Sequence, residues 1–419
     1  MSISQLCSIR SIKHSFIYLV IALFPVLIAT IQHGGVVLYS LILLFGLIFG
    51  WASWGYLEAW EKRLLLGFCV FFVLICLSLV NTQDIELGVK KLERYILFPL
   101  VLPMYFFLRK YKIEAGKPLL AGILFASLVM FLQSVYQVYG LDMVRAVGGY
   151  NAIIFGDIAM LLSVILVCAL LTMSKCLQHI LIGGVAIVFA LIASLLSGSK
   201  GAWVLIPVIM VWLLWVYRLL ISKRILTLLA ILGCVMIVIL LNLEPVKRRI
   251  DIAITQYDSY SQDNTQINPM SERLEMWKDS ISIWQENPIL GTGIGDFKSA
   301  RSNLYSEGLS NLKMPYGHAH SIYFDMLASA GLLGITSLLI FVLIIPYKVF
   351  RQNFLNESDG WIRFYALSGM ATVIAFSVFG LTEGWLARNA FTRTYVFFIL
   401  VFMSSIAIRK IKKTTVVLS

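Results

Sequence analysis

The chain has 419 residues, of which 59% are hydrophobic and 13% are charged, and its formal net charge is +12. Soluble domains carry about 25% charged residues, so this composition excludes an ordinary soluble protein. Apolar runs long enough to cross a bilayer recur along the chain, which predicts an all-α polytopic membrane protein.

Twelve apolar runs are predicted to be transmembrane helices. They are residues 15–32, 35–56, 64–80, 95–108, 118–139, 153–173, 179–197, 202–221, 225–243, 321–346, 362–381 and 392–408. The first run follows Arg10 and Lys13 as in a signal peptide, but no small-residue cleavage site closes it. We therefore expect it to be retained as the first helix. The chain then divides into nine spans over 1–243, one long polar loop with helices over 244–320, and three spans with a tail over 321–419.

The distribution of basic residues predicts the orientation of these spans. An even number of spans places both termini on one side, where short segments hold 19 lysines and arginines against 7 on the other side. Cytoplasmic segments carry the excess of basic residues. Both termini are therefore expected in the cytoplasm and the 244–320 loop outside it, in the periplasm if the source is a bacterium. Because this placement explains the net charge, no nucleic-acid partner is expected.

The cysteines predict neither a disulfide framework nor a cysteine metal site. They are Cys7, Cys69, Cys76, Cys168, Cys176 and Cys234. All of them fall in predicted spans or cytoplasmic segments, and none is in the long loop.

The long loop contains a helix with start and stop signals. Asn268 suits the capping position, Pro269 suits the first helical position, and Asn287-Pro288 ends the segment. Apolar residues recur between these limits at helical spacing and predict one apolar face, suited to the bilayer surface or the bundle: Met270, Leu274, Trp277, Ile281 and Trp284. Residues 291–295, with three glycines, are predicted to be a backbone turn, because no strand–loop–helix unit surrounds them.

Ionisable residues collect at the predicted outer surface of the membrane. His318 and His320 close the loop, and in a strand or a helix their side chains would diverge, so no two-histidine metal site is expected. Free N–H groups at the start of the next helix would favour anions there and keep His320 neutral. Lys200 lies in a short hairpin, and Glu383 and Arg388 lie between the last two spans. An acid at that depth is costly unless it is paired or functional.

Two further cations join this surface. Arg273 lies on the loop helix, where it could simply pair with Glu272 or Glu275, and Arg145 precedes a pair of glycines. A lysine such as Lys200 could likewise extend towards lipid headgroups. Together these cations suit a phosphate at headgroup depth, and a neutral histidine suits removal of a proton from an attacking hydroxyl. The pattern favours a lipid-linked phosphate substrate, since nucleotides are lacking outside the cytoplasm.

At these residues the chain resembles the O-antigen ligase family, which shares a related region with O-antigen polymerases. The resemblance covers the whole predicted topology. Its motifs fall in the same order as Ser197-Gly198-Ser199-Lys200, Arg273-Leu274-Glu275-Met276-Trp277, Pro288 to Gly293, and His318-Ala319-His320-Ser321. The Glu383 to Arg388 segment also resembles the last periplasmic loop of the family. Lys200 stands where the family has an arginine and Ser321 where it has an asparagine; lysine keeps the charge but loses bidentate phosphate geometry.

The resemblance implies transfer of a polysaccharide from undecaprenyl diphosphate to the lipid A-core oligosaccharide. The transfer would occur on the periplasmic face of the inner membrane, with inversion and without a metal or other cofactor. His320 would act as the general base or orient the acceptor, and Arg273 and Lys200 would hold the leaving diphosphate. The supporting or substrate-binding residues would be His318, Glu383, Arg388 and Arg145.

Three other activities fit parts of the same pattern. An O-antigen polymerase would use the same donor with a growing glycan as acceptor. A protein O-oligosaccharyltransferase would attach the glycan to a protein, although the short loops provide no extra acceptor-binding domain. A transporter can have twelve spans too, but it more often carries polar residues or broken helices at mid-membrane.

Overall fold

The computed structural model describes residues 3–418, except 52–53, 174–175, 219–226, 228–230, 232–237, 239–241, 243, 263–266 and 313–315. Every regular element in these ranges is helical, as predicted. In chain order the α-helices are α1 (Ile3–Thr30), α2 (Gly34–Phe49), α3 (Ala59–Leu77), α4 (Ile85–Leu92), α5 (Val101–Lys110), α6 (Gly116–Val135), α7 (Ala152–Met173), α8 (Leu177–Ser197), α9 (Lys200–Tyr217), α10 (Glu244–Gln262), α11 (Pro269–Glu286), α12 (Phe297–Ser306), α13 (Ile322–Ser337), α14 (Ile345–Asn356), α15 (Gly360–Thr382) and α16 (Asn389–Leu418).

Eight helical segments of the described part are long and apolar enough to cross a membrane. They are Ala59–Asn81, Gly116–Gly140, Ala152–Met173, Leu177–Ser197, Lys200–Tyr217, Ile322–Asn356, Gly360–Thr382 and Asn389–Thr414. Two shorter apolar helices, His14–Thr30 and Gly34–Phe49, correspond to the first two predicted spans. The predicted ninth span, 225–243, lies almost entirely outside the described residues. The total of twelve spans stays a prediction.

The predicted fourth span, 95–108, differs most from the structure. The chain turns before Val101, and α5 ends at Lys110 after ten residues. At about 1.5 Å per residue such a helix is about 15 Å long, half the thickness of a bilayer core. Pro99 supplies the physical reason, because a proline has no backbone N–H and its ring clashes with the preceding helical turn.

The centre of the bundle is formed by α7, α15 and α16. Between 83% and 94% of their membrane segments is buried inside the protein, against 33% for α8 and 28% for α9. Aromatic rings fill the space where α15 and α16 meet: Phe376 contacts Trp385 and Tyr395 with ring centroids 5.2 and 5.1 Å apart. The segment between α15 and α16, which carries Glu383 and Arg388, is therefore anchored on the most buried part of the molecule.

The long loop folds onto one end of this bundle, where its helix α11 contacts α13. The indole of Trp277 stacks on Phe324 with ring centroids 5.1 Å apart. Its Nε1–H donates to the carbonyl of Ala319 at 3.1 Å, in the segment between the two histidines. The helix that carries Arg273 is thus attached directly to the histidine segment.

The glycine turn at residues 291–295 attaches the loop to the bundle at a second place. Gly291 and Gly293 have φ values of +70° and +105°, which side chains disfavour. A Cβ atom on Gly293 would lie 2.5 Å from Thr82 Oγ1, and one on Gly291 would lie 2.5 Å from Ala330 N. The prediction of a backbone turn is confirmed, and the turn packs between Thr82, which follows α3, and the kink in α13 at Gly331.

Helix α11 begins and ends as predicted but buries a different face. The Asn268 side chain accepts hydrogen bonds from the N–H groups two and three residues on, and Pro269 opens the helix. The fully buried residues are Ser271, Glu275, Met276, Asp279, Ser280 and Ile283. Ile281, on the predicted apolar face, is 40% exposed. The inward face can be polar because α12 places Arg301 Nε 2.9 Å from Asp279 Oδ2, forming a buried ion pair.

Candidate active site

His318 and His320 lie side by side just before α13. Their ring centroids are 4.3 Å apart. His320 has a φ of +48°, in the left-handed region that residues with side chains rarely adopt. The expectation that the two rings diverge was therefore wrong, since it assumed regular strand or helix geometry. Strained residues of this kind cluster at functional sites.

The carboxylate of Glu383 joins the two histidines. His320 Nδ1 is hydrogen-bonded to Oε2 at 3.4 Å. His318 Nε2 lies 3.4 Å from Oε1, within ion-pair distance but without hydrogen-bond alignment. Arg388 Nε also lies 3.4 Å from Oε1. The sequence-predicted residues His318, His320, Glu383 and Arg388 thus form one group, which we call the histidine cluster.

Electrostatics favour the ionised form of Glu383. Its side chain is only 2% exposed, and burial alone would raise its pKa. The two imidazoles and the Arg388 guanidinium outweigh burial, so the pKa of Glu383 falls well below its usual range. The cluster therefore contains a buried negative charge at neutral pH.

Close packing between α13 and α15 positions this cluster. The hydroxyl of Ser321, the capping residue of α13, donates to the carbonyl of Gly380 at 3.2 Å. A Cβ atom on Gly380 would lie 2.6 Å from Ile322, and one on Gly384 would lie 3.2 Å from the ring of His318. Glycine at these two positions allows the end of α15 to reach the histidines.

The predicted phosphate-binding cations lie together in one cavity of about 310 Å³. Arg145, Lys200 and Arg273 line it, with walls from the segment before α7, the start of α9, α10 and the start of α11. Thr382, the residue before Glu383, lines it as well. We call this the cation cavity. The cavity therefore contains Arg273 of the long loop together with Lys200 of the hairpin.

Lys200 occupies the hairpin predicted for it. Helix α8 ends at Ser197, Gly198 takes a φ of +64°, and α9 begins at Lys200. Arg145 Nε donates to the carbonyl of Ser197 at 2.7 Å, so one cation of the cavity holds the turn that presents another.

Sequence analysis missed Asp157, a fully buried acid in α7. Its Oδ1 accepts a hydrogen bond from Ser199 Oγ at 2.6 Å. On the other side of the hairpin, a Cβ atom on Gly201 would lie 2.6 Å from Thr382 Oγ1. The Lys200 hairpin is therefore held between α7 and α15. A lone acid in an apolar run was the available signal, because such a residue is costly in a membrane helix.

Lys91, one of the basic residues on the predicted outer side, lies near Asp325 and the histidine segment. Its Nζ donates to the carbonyl of Gly295 at 3.3 Å. Burial lowers the pKa of Lys91, and the nearby Asp325 carboxylate partly opposes this effect. Asp325 in turn accepts a hydrogen bond from the N–H of Ala319 at 3.3 Å. Lys91 thus links α4 to the glycine turn, and Asp325 holds the backbone between the two histidines.

The arrangement offers three chemical capacities. The cation cavity can bind a phosphate-bearing group through lysine and arginine. The pair of His320 and Glu383 can accept a proton, with the carboxylate orienting the ring. The ligand atoms of His318, His320 and Glu383 also lie within 4.8 Å of one another, a spacing at which they could hold a metal ion.

Similarities to known proteins cover several of these residues. Residues 185–339 match the family model described as O-antigen ligase. An uncharacterized protein from Haemophilus influenzae is 24% identical over 335 residues, covering 79% of this chain and 82% of that protein. The family match and the apolar helices support a membrane enzyme of the O-antigen ligase or polymerase type. The matched segment contains Lys200, Arg273, His318 and His320, so the similarity to the O-antigen ligase family extends over these four residues.

Proposed function

We propose that this protein is an O-antigen ligase that transfers a polysaccharide from undecaprenyl diphosphate to a sugar hydroxyl of the lipid A core. The observation that carries the proposal is the position of the cation cavity. Arg145, Lys200 and Arg273 line it together with Thr382, whose neighbour Glu383 holds the two histidines. A phosphate-binding cavity next to a proton acceptor is what a transferase with a diphosphate leaving group requires.

The cation cavity holds the donor diphosphate in this proposal. Arg273 can contact two phosphate oxygens through its planar guanidinium, whereas Lys200 acts as a point charge. Negative charge grows on the diphosphate as the sugar leaves, so both cations stabilise the transition state more than the ground state. Arg145 contributes charge and also holds the Lys200 hairpin.

The histidine cluster activates the acceptor. A neutral His320 donates its Nδ1 hydrogen to Glu383, which leaves Nε2 with the lone pair that accepts a proton. The acceptor hydroxyl oxygen attacks the anomeric carbon, its proton passes to Nε2, and the sugar–phosphate bond breaks with its electron pair going to the diphosphate. Attack opposite the leaving group inverts the anomeric configuration. This step requires no metal or other cofactor.

The proposed orientation places this chemistry on the periplasmic face of the inner membrane. Helix α15 spans 23 residues between Asp359 at its start and Glu383 at its end, about 35 Å at 1.5 Å per residue. Near Asp359, Arg409 pairs with Asp359 at 2.8 Å and with Glu114 at 2.9 Å. The basic tail therefore lies at the end of the bundle opposite the histidine cluster. The positive-inside rule places such a tail in the cytoplasm, in agreement with cytoplasmic termini.

A lipopolysaccharide gel of a deletion strain tests the proposal. Loss of ligase activity leaves full-length glycan on the lipid carrier and bare core on the outer membrane. Core carrying a single repeat unit would instead identify a polymerase. Unchanged lipopolysaccharide with an unglycosylated protein would identify a protein-directed transferase. Either of the last two results overturns the proposed acceptor.

A further inference from the structure

Three side chains of the histidine cluster that could bind a metal ion converge at one place. His318 Nε2 and His320 Nδ1 each lie 3.4 Å from an oxygen of the same Glu383 carboxylate. All three groups offer ligand atoms within 4.8 Å of one another. His318 Nε2 is also buried without an aligned hydrogen-bond partner, so one nitrogen of the cluster has a lone pair or proton that this geometry does not use.

The two nitrogen–oxygen separations can be compared with the spacing of neighbouring ligand atoms around zinc. Zinc binds imidazole nitrogen at about 2.0–2.1 Å and carboxylate oxygen at about 2.0–2.2 Å, with tetrahedral angles. Neighbouring ligand atoms around such an ion are about 3.3–3.4 Å apart, which follows from those bond lengths. Each histidine nitrogen lies 3.4 Å from a different oxygen of the Glu383 carboxylate, which is the length of one tetrahedral edge.

We propose that His318, His320 and Glu383 form a binding site for a transition-metal ion of the Zn²⁺ class, and that the bound ion inhibits the enzyme. Two imidazoles and one carboxylate suit zinc, cobalt, nickel or copper, whereas magnesium and calcium prefer oxygen ligands. The inhibitory part rests on the proposed function, because it requires His320 to accept the acceptor proton. The binding part rests on geometry alone.

Coordination removes the proton acceptor for a specific chemical reason. The nitrogen of His320 that faces Glu383 is Nδ1, and a metal bound between them occupies it. The remaining hydrogen of the neutral ring then resides on Nε2, so this nitrogen no longer accepts a proton. The metal also takes the Glu383 carboxylate that orients the ring. The metal ion and the acceptor hydroxyl therefore compete for the same two side chains, His320 and Glu383.

The charges around the histidine cluster set its affinity for the metal ion. Arg388 Nε lies 3.4 Å from Glu383 Oε1 and repels a divalent cation while competing for the same oxygen. Lys91 adds a second positive charge near the histidine segment, and Asp325 adds a negative one. We expect a moderate affinity, which rises severalfold when Arg388 is replaced by methionine.

Direct metal binding is measured on the full-length protein, purified in detergent and stripped with EDTA. Co²⁺ should bind one ion per chain with the visible absorption of a low-coordinate nitrogen–oxygen site, and Zn²⁺ should displace it. His318→Ala and Glu383→Gln should each weaken binding at least about tenfold. His179→Ala provides the matched control, because His179 is exposed at the start of α8, and it should bind as the parent protein does. Equal binding by the parent and His318→Ala, with both variants folded by circular dichroism, overturns the site.

A transfer assay with the same protein separates this proposal from the proposed function. Zinc should abolish transfer, and excess EDTA should restore it. If His320→Ala is inactive but the parent protein binds no zinc, the metal site is overturned and the proposed function stands. Zinc binding without loss of activity overturns the inhibition and the role of His320 as base. Loss of activity in EDTA with recovery in zinc also overturns the inhibition, because the ion would then serve catalysis.

Discussion

The histidine cluster and the cation cavity are adjacent, yet they are built in different ways. The cluster comes from two segments, the start of α13 and the end of α15, and its members contact one buried carboxylate at 3.4 Å. The cavity comes from five segments and encloses about 310 Å³. The cluster is thus fixed in geometry before substrate arrives, whereas the cavity has room for a phosphate group.

This difference predicts how each region tolerates substitution. Proton transfer depends on hydrogen-bond distance and direction, so the cluster should fail when any contact is lost. Charge stabilisation of a diphosphate depends on position less strictly, so a cation in the cavity should be replaceable by another cation. Substitutions in the two regions distinguish these two behaviours.

Replacement of His320 by alanine should give the greatest loss. General base catalysis contributes about 10²- to 10⁴-fold, so transfer by His320→Ala should fall by that factor at saturating donor. The measurement is the rate of glycan transfer from lipid-linked donor to core acceptor in vitro, at matched protein levels. His179→Ala should retain full activity. Smooth lipopolysaccharide restored in a ligase-null strain by His320→Ala would remove this residue from catalysis.

Replacement of Glu383 by glutamine should show that the carboxylate acts through His320. Glutamine keeps the shape but loses the charge, and we expect a fall of about 10- to 10³-fold in transfer. Groups that act as a unit are strongly non-additive, so the double variant with His320→Ala should be no slower than His320→Ala alone. Multiplied losses in the double variant would show that the two residues act separately, and the cluster would not be one unit.

Substitutions at Lys200 test the other region. Lys200→Ala should lower transfer by about 10²-fold, because one charge on the leaving diphosphate is lost. Lys200→Arg should stay within a few-fold of the parent, since arginine keeps the charge and adds bidentate geometry. Rates of all three proteins are compared at equal amounts in the membrane. Equal activity of the three would exclude Lys200 from the site, and a loss in Lys200→Arg as large as in Lys200→Ala would end the contrast between cavity and cluster.

The two regions also differ in how well the sequence predicts them. Lys200 and the histidine pair lie in short motifs, and the helix signals around Asn268 are local, so each could be read directly. The contact between His318 and His320 could not, because it depends on the left-handed backbone of a single residue. Arg145 and Lys200 meet because helices that are distant in sequence pack together, so the sequence around each residue does not reveal their proximity.

Two differences between the predicted and the observed helices share a physical cause. Hydropathy registers the apolar content of 95–108 but not the effect of Pro99 on helix continuity. Apolar periodicity likewise does not identify the face of α11 that is buried in the protein. Asp279 lies on that face because Arg301 neutralises its charge. In both places, a local backbone or charge constraint outweighs the hydrophobic pattern.

The smallest effect is expected at Asp157, which touches neither proposed substrate group but accepts a hydrogen bond from Ser199 in the Lys200 hairpin. Asp157→Ala removes the acceptor of the Ser199 hydroxyl and should reduce transfer by several-fold, because loss of a buried hydrogen bond costs about 1 kcal/mol and loosens the hairpin. Ser163→Ala on the same helix, whose hydroxyl bonds only within α7 among the described contacts, should leave the rate unchanged. If Asp157 acts through Lys200, Asp157→Ala adds nothing further in a Lys200→Ala background. A loss that persists undiminished in that background would show that Asp157 serves general stability, and that the cavity does not depend on α7 for the position of its lysine.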